Sequence, residues 1–421
     1  MQGDPENSKG WHRTFITCWL GCFITGMGFS MTMPFLPLFI GTLGQFSRFE
    51  LNLYAGIAFS ITFLAQAIIS PLWGNLADLK GRKLMCLRAS GVMAFTIFAT
   101  GLATSVWMVI ILRTLQGLFS GYINNATALM AGETGRHHSG SVMAKMMTAN
   151  VSGNLLGPLF GGALADLFGY RVPFFVTGIL MAVAFVLTIV NVKEHFTPIE
   201  KQAMKPFKEL MHEIKQPNLI FTMFATTMIV QSALMSISPI IALFVNQLMH
   251  GHGNVSLVSG VVAAMPGFGT LLVAGYLGRK MDKIGPEKIL VGGLILAILS
   301  FVPMIFVSSP WSLASWRFVL GMANAGLLPA VQTILTLDVP RESFGRIFSY
   351  NQGFQSIGGV VGPLLGAGIS GALGYAFVFV ATALLLAVNL GIIFIQRQAL
   401  ISSNQANQKA SQAVGKMALK S

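Results

Sequence analysis

Of 421 residues, 54% are hydrophobic and only 10% are charged, far below the roughly 25% charged residues of a soluble domain. With a mean hydropathy of +0.70, the chain cannot be a string of soluble domains, and its bulk belongs in a bilayer. The net charge of +13 would suit a polyanion binder, but the placement of the charges excludes nucleic acid as a partner.

Apolar runs of about 20 residues, the length that crosses a bilayer as a helix, fall at roughly 14–39, 53–75, 84–104, 107–131, 140–164 and 172–192. Six more follow at roughly 218–245, 256–278, 288–308, 312–336, 346–370 and 376–396. They predict an all-α membrane protein with twelve spans in two halves, residues 1–192 and 218–396. A cytoplasmic linker at 193–217, with a short amphipathic helix along Phe207, Leu210, Met211 and Ile214, would join them. The tail at 397–421 reads as disordered. The first apolar run is too long for the core of a signal peptide, and no small-residue cleavage site follows it.

In chain order, the first span carries Phe23, Met27, Met31 and Phe35 on one face, and the seventh carries Phe224, Met228, Gln231 and Met235. Asn124, Asn150, Asn154, Asn324, Gln332, Asn351 and Gln355 add amides that lipid would leave unsatisfied. Together they predict a soft, apolar cavity with hydrogen-bonding points, lined by adaptable methionines. In the loop from Gly74 to Lys83, Gly74 and Gly81 let the turn approach neighbouring helix ends. Asp78 can meet the N-terminal dipole of a helix in the other half, and Arg82 can pair with it. Arg113 lies inside an apolar span, where a charge costs at least about 2.5–3.5 kcal/mol, so it must face a polar interior. Gly153, Gly157 and Gly161, with Gly162 beside them, form a smooth face for close packing, and Pro158 kinks the helix there.

Much of this recurs. At an offset of 204, Gly74, Asp78, Gly81, Arg113 and Gly117 fall on Gly278, Asp282, Gly285, Arg317 and Gly321. One residue of slip later, Gly157-Pro158, Gly161 and Gly169-Tyr170 fall on Gly362-Pro363, Gly366 and Gly374-Tyr375. A repeat this long in an apolar chain means two equivalent membrane halves, the architecture of a secondary transporter. With both termini inside, 22 of the 27 Lys and Arg residues lie in inner segments and only Arg48 and Arg171 in outer loops. That bias fixes the orientation, and the basic balance reports topology and anionic lipid heads.

Several of these motifs are recognisable. Gly74–Lys83 resembles the G-x-L-a-D-r-x-G-r-k loop of the major facilitator superfamily, and Arg113–Gly117 resembles its R-x-x-q-G signature. Gly153, Gly157-Pro158 and Gly161-Gly162 look like the fifth-span antiporter motif of the 12-span drug:proton antiporters. Leu20-Gly21 and Pro34–Pro37 look like the first-span element of those antiporters, and the chain is most similar to their MdtG-type multidrug-resistance branch. The resemblance implies a proton-driven exporter of amphipathic molecules by alternating access, monomeric, in a bacterial inner membrane, with no cofactor beyond the proton gradient. It implies that Gly74, Asp78, Gly81, Arg82 and, more weakly, Asp282 latch the outward-facing state, with Glu133 joining them, and that Arg113 serves proton transfer. The chain departs from many such antiporters in having no mid-span carboxylate, and Asn324 stands where one could sit. Proton coupling would then fall to Glu50, Asp78, Glu133 or Asp166 near helix ends, together with Arg113. An exporter or importer of one metabolite, such as a siderophore, lipid or bile-salt-like compound, is an alternative. A non-transporting sensor on the same fold is another, which the intact fifth-span motif disfavours. No metal, phosphate-loop or nucleophile–base constellation is visible, which argues against an enzyme and against ATP as energy source.

Overall fold

The computed structural model describes residues 9–134, 139–194, 216–339 and 344–396, and the described residues are helical apart from short connections. Its first half holds α1 (Lys9–Thr32), α2 (Leu36–Gly41), α3 (Arg48–Lys80), α4 (Arg82–Gly101), α5 (Val106–Leu118), α6 (Tyr122–Glu133), α7 (Ser139–Phe168) and α8 (Val172–Asn191). The second holds α9 (Pro217–Ile237), α10 (Ile241–Leu248), α11 (Val255–Ile284), α12 (Pro286–Met304), α13 (Pro310–Asp338), α14 (Phe344–Ala372) and α15 (Tyr375–Ile395). Most of the expected linker with its amphipathic helix, the tail, and the side chains of Asp78 and Asp282 lie outside the described residues.

Ten helical stretches are long and apolar enough to cross a membrane, α5 and α6 counting as one. The remaining long helices, α7 and α14, carry the glycine–proline faces. Three expected spans are each two helices. Pro34 and Pro239, which cannot donate to a helical ladder, stand in the turns between α1 and α2 and between α9 and α10. Between α5 and α6, Gly121 adopts φ +113, a left-handed conformation that glycine tolerates.

The glycine faces explain the tightest packing. A Cβ on Gly157 would lie 2.6 Å from the Met27 carbonyl and 2.8 Å from the Met31 amide, so α7 sits directly on the α1 backbone. In the second half, a Cβ on Gly358 or Gly362 would lie 2.5 Å from the carbonyl of Met228 or Ser232, seating α14 on α9 in the same way. Side chains then fill each half, Phe39, Phe59 and Phe174 in the first and Phe224, Phe301 and Phe379 in the second.

One face of the bundle gathers the ends of α1, α4 and α8: Thr14 Oγ1 reaches the Asn191 carbonyl at 3.4 Å, and Glu194 accepts from the Arg82 amide at 2.7 Å. We call this the terminal face and its opposite the distal face. The halves meet along two seams, α3 with α14 and α7 with α11. Across the first, Ser60 Oγ donates to the Val360 carbonyl at 2.7 Å and Ser370 Oγ to Asn52 Oδ1 at 2.9 Å. Across the second, a Cβ on Gly162 would lie 2.6 Å from the Ser256 carbonyl. These contacts belong to the distal ends of the helices. Towards the terminal face, Gly74 of α3 and Gly275 and Gly278 of α11 have no neighbour among the described residues within 4 Å of an added Cβ. Among the described residues the bundle is therefore joined along its distal side and open around these glycines at its terminal face.

Candidate functional site: a cavity at the broken fourth span

The break between α5 and α6 frees backbone carbonyls that a continuous helix would use. Trp73 Nε1 donates to Leu118 O at 2.7 Å, and Arg88 Nη2 donates to Ser120 O at 2.8 Å. The Arg88 guanidinium also lies 3.8 Å over the Trp73 ring. These donors hold open a bend that faces α1, α3 and α7. Inside it lies a cavity of about 310 Å³ walled by Phe29, Phe63 and Met93 and studded with Gln66, Gln116, Asn124, Asn150 and Asn154. Asn154 Nδ2 donates to the Asn150 carbonyl at 2.9 Å and to its Oδ1 at 2.7 Å, so these two amides form one polar strip. A smaller cavity of about 140 Å³ extends past Ser120 and Asn124 to Gly74, Arg82 and Arg88 near the terminal face.

Arg113 lies behind this wall, 1% exposed. Its Nη1 donates to Gln116 Oε1 at 3.0 Å, and its guanidinium carbon stands 5.9 Å from the Phe174 ring. Its Nε has no partner among the described residues. The guanidinium thus reaches the cavity through Gln116, whose amide relays its polarity. Arg317, the repeat-related residue, is held differently. Pro266 in α11 leaves the carbonyl four residues before it, that of Val262, without its helical donor, and Arg317 Nε donates there at 2.9 Å. Arg317 also borders a third cavity of about 150 Å³ between the halves, which shares Phe29 and Asn154 with the main one.

The structure gathers some expected site residues and separates others. Asn124, Asn150 and Asn154 line the main cavity. Met31 and Phe35 do not: they are 1% and 0% exposed, in the seam where α1 meets α7 and α8, and Met31 Sδ accepts from Thr177 Oγ1 at 3.3 Å. Met27 lies along the same seam. The methionine stripe follows the glycine face, and the cavity uses the adjoining face with Phe29 and Met33. Asn351 is buried and accepts from Thr227 at 2.8 Å, and Gln355 donates to Gln231 at 3.4 Å, so these amides tie α14 to α9 beside Met228. Asn324 has a buried Oδ1 without a partner among the described residues, and Gln332 is exposed; neither lines a cavity named here.

The candidate carboxylates Glu50, Glu133 and Asp166 stand at helix ends. Glu50 accepts from the Ser47 amide at 2.8 Å in a capping box that starts α3. Asp166 accepts from the Ser256 and Leu257 amides across the α7–α11 seam. Glu133 closes α6 at the terminal face. Gly81 and Gly285 adopt φ +90 and +94, so the two loop copies share one turn. Glu194, which sequence reasoning did not single out, accepts from the Arg82 and Lys83 amides at 2.7 and 2.8 Å, capping α4. A Cβ on Gly81 would lie 2.7 Å from that carboxylate, so the loop glycine is needed twice over. Gln66 and Gln116 were also missed as cavity residues, although a glutamine inside an apolar span, and one three residues from Arg113, were signals.

These broken helices, paired glycine faces and two symmetric seams meet a match to the profile of the Major Facilitator Superfamily over residues 18–280 and 240–416. The chain belongs to the major facilitator superfamily. Within it, the chain is 46% identical over 387 residues to the multidrug resistance protein MdtG of Escherichia fergusonii, covering 92% of this chain and 95% of that one. It is 48% identical over 373 residues to the same-named protein of Salmonella schwarzengrund, covering 89% and 92%. Among solved structures, a bacterial homologue of the human lysosomal transporter Spinster, inward-facing and unoccupied, superposes with a TM-score of 0.78 at 14% identity, covering 94% of this chain and 99% of that one. Membership of this transporter superfamily makes the protein a transporter rather than an enzyme, and its cavity is read below as a place for cargo.

Proposed function

We propose that the protein is a secondary exporter of amphipathic small molecules, working by alternating access in exchange for protons. It crosses the bacterial inner membrane twelve times as a monomer, with both termini and the terminal face in the cytoplasm. The name of the MdtG relatives supports drug efflux, and the inner bias of Lys and Arg supports the orientation. The observation that carries the reading is the main cavity, walled by aromatic and amide side chains, in a bundle closed distally and parted at the terminal face. This is an inward-open state, ready to take cargo from the cytoplasm. The terminal end of α3, where Gly74 has nothing within 4 Å of an added Cβ among the described residues, would close against the other half once cargo is bound, with Asp78 and Arg82 completing the latch. Proton transfer would involve Arg113, held by Gln116, with Glu133 at the end of the same span as a carboxylate candidate.

Everted membrane vesicles energised by respiration test this. They should accumulate a fluorescent amphipath only when the protein is present, and nigericin, which collapses the pH gradient, should abolish the uptake. Uptake that survives nigericin would refute proton exchange; no uptake across a broad panel of amphipaths would refute drug export.

A further inference from the structure

We propose that Asp166 is a latch that holds the distal face shut, doing at this face what Asp78 is expected to do at the other. This role rests on the alternating-access reading above. Helix α11 begins at Val255 after Asn254, whose side chain makes no capping bond. Its first amides have no acceptor within the helix. The carboxylate of Asp166, on α7 of the opposite half, takes two of them: Ser256 N–H to Oδ1 at 3.0 Å and Leu257 N–H to Oδ2 at 2.7 Å. An anion at the positive end of a helix, bonded through both oxygens, is a strong and directional contact. Gly162, one turn before it on α7, lets the two backbones close to this distance.

The repeat supplies the control. Helix α3 starts the related seam, but its cap comes from its own half: the Ser47 hydroxyl accepts from the Glu50 amide and the Glu50 carboxylate from the Ser47 amide. The position related to Asp166 at an offset of 205 is Gly371, which packs against Phe49 and offers no carboxylate. The capping box of α3 therefore persists whether or not the halves separate. The start of α11 is capped by Asp166 only while they are closed. On the α3 side the halves are joined by neutral hydrogen bonds and by the Arg48 guanidinium 4.6 Å over the Tyr375 ring, none of which caps a helix. Opening the α7–α11 seam strips the start of α11 of its acceptor, so that seam resists opening of the distal face.

Pulsed EPR distances on the full-length protein in nanodiscs test this, with Cys18, Cys22 and Cys86 replaced by Ala. Spin labels at Leu102 and Phe306, both exposed, at the distal ends of α4 and α12, read opening of that face. Labels at Leu84 and Lys288, related positions at the other ends of the same helices, read the terminal face. Asp166→Asn should raise the ratio of distal-open to distal-closed protein at least about tenfold, equivalent to about 1.4 kcal/mol, and shorten the terminal-face distance. Asp166→Glu should stay near wild type, and Ser47→Ala should leave both distributions unchanged. Wild-type distributions in both Asp166→Asn and Asp166→Ala, with two populations visible in the parent, would overturn the latch alone. A single population in every variant would overturn the latch together with the alternating-access reading.

Discussion

Replacing Arg317 by Ala should destabilise the fold by about 1–2 kcal/mol, and most of that loss should disappear when Pro266 is replaced as well. Pro266 lacks an N–H, so the Val262 carbonyl has no donor from within α11. Arg317 reaches across from α13 and supplies one at 2.9 Å. A buried carbonyl left without a donor costs about 1–3 kcal/mol. Here the adjoining cavity of about 150 Å³ admits water to the vacated site, which places the cost in the lower half of that range. In Pro266→Ala the substituted position regains its N–H and can bond Val262 in the ordinary way, so Arg317 becomes dispensable for the helix. The parent, two single variants and double variant form a thermodynamic cycle. Unfolding titrated with SDS in mixed micelles should give a coupling of about 1 kcal/mol between the sites. Losses additive to within about 0.5 kcal/mol would refute the carbonyl role.

Gly157→Val should destabilise the protein by about 1–3 kcal/mol or prevent assembly, because any Cβ there meets the α1 backbone. Gly74→Ala should change the stability of the purified protein by less than about 0.5 kcal/mol; equal melting temperatures for the two variants would contradict the packing described. Arg113→Ala should abolish gradient-driven efflux while leaving drug binding largely intact, and liposomes in which both persist would make the residue structural. Among the described residues the main cavity is lined by amides, hydroxyls and apolar groups with Arg113 behind them and no carboxylate. Matched anionic and cationic amphipaths should therefore compete within about a hundredfold, roughly 2.7 kcal/mol. A stronger preference for cations in binding assays would mean that an acidic group reaches the cargo.

The sequence made the architecture legible because membrane helices follow simple physics. Apolar length marks spans, and a repeated glycine–proline pattern marks equivalent faces. Arg113 was legible for the same reason, since a buried charge in an apolar run stands out. The cavity was less so. Met27, Met31 and Phe35 share a face at helical spacing, but spacing cannot say whether a face meets lipid, a neighbouring helix or a cavity. That was decided by Gly153, Gly157 and Gly161, which pull α1 and α7 together along that stripe and turn Phe29 and Met33 towards the open space. Glu194 was hidden because its partners are backbone amides at Arg82 and Lys83, more than a hundred residues earlier, and amides leave no mark on composition.

The two halves share a backbone but not a chemistry, and single positions account for the difference. Gly117 seats its bare Cα on the Thr62 carbonyl, and Gly321 does the same on that of Pro266. One turn later the copies diverge. Gly121 takes a left-handed conformation and breaks the fourth span, whereas the related stretch Ala325-Gly326 lies within the continuous α13. The break frees carbonyls at Leu118 and Ser120, draws in Trp73 and Arg88 as donors, and leaves the wall that Gln116 and Asn124 line. An unbroken helix satisfies its own backbone and presents no such polar edge. The largest cavity described here therefore lies in the half whose glycine bends the span, while in the other half the arginine repairs a proline kink. Duplication supplied the symmetric frame on which the halves can move. The left-handed turn at Gly121 thereby gives the first half a polar-edged cavity at the very place where α13 of the second half runs on unbroken.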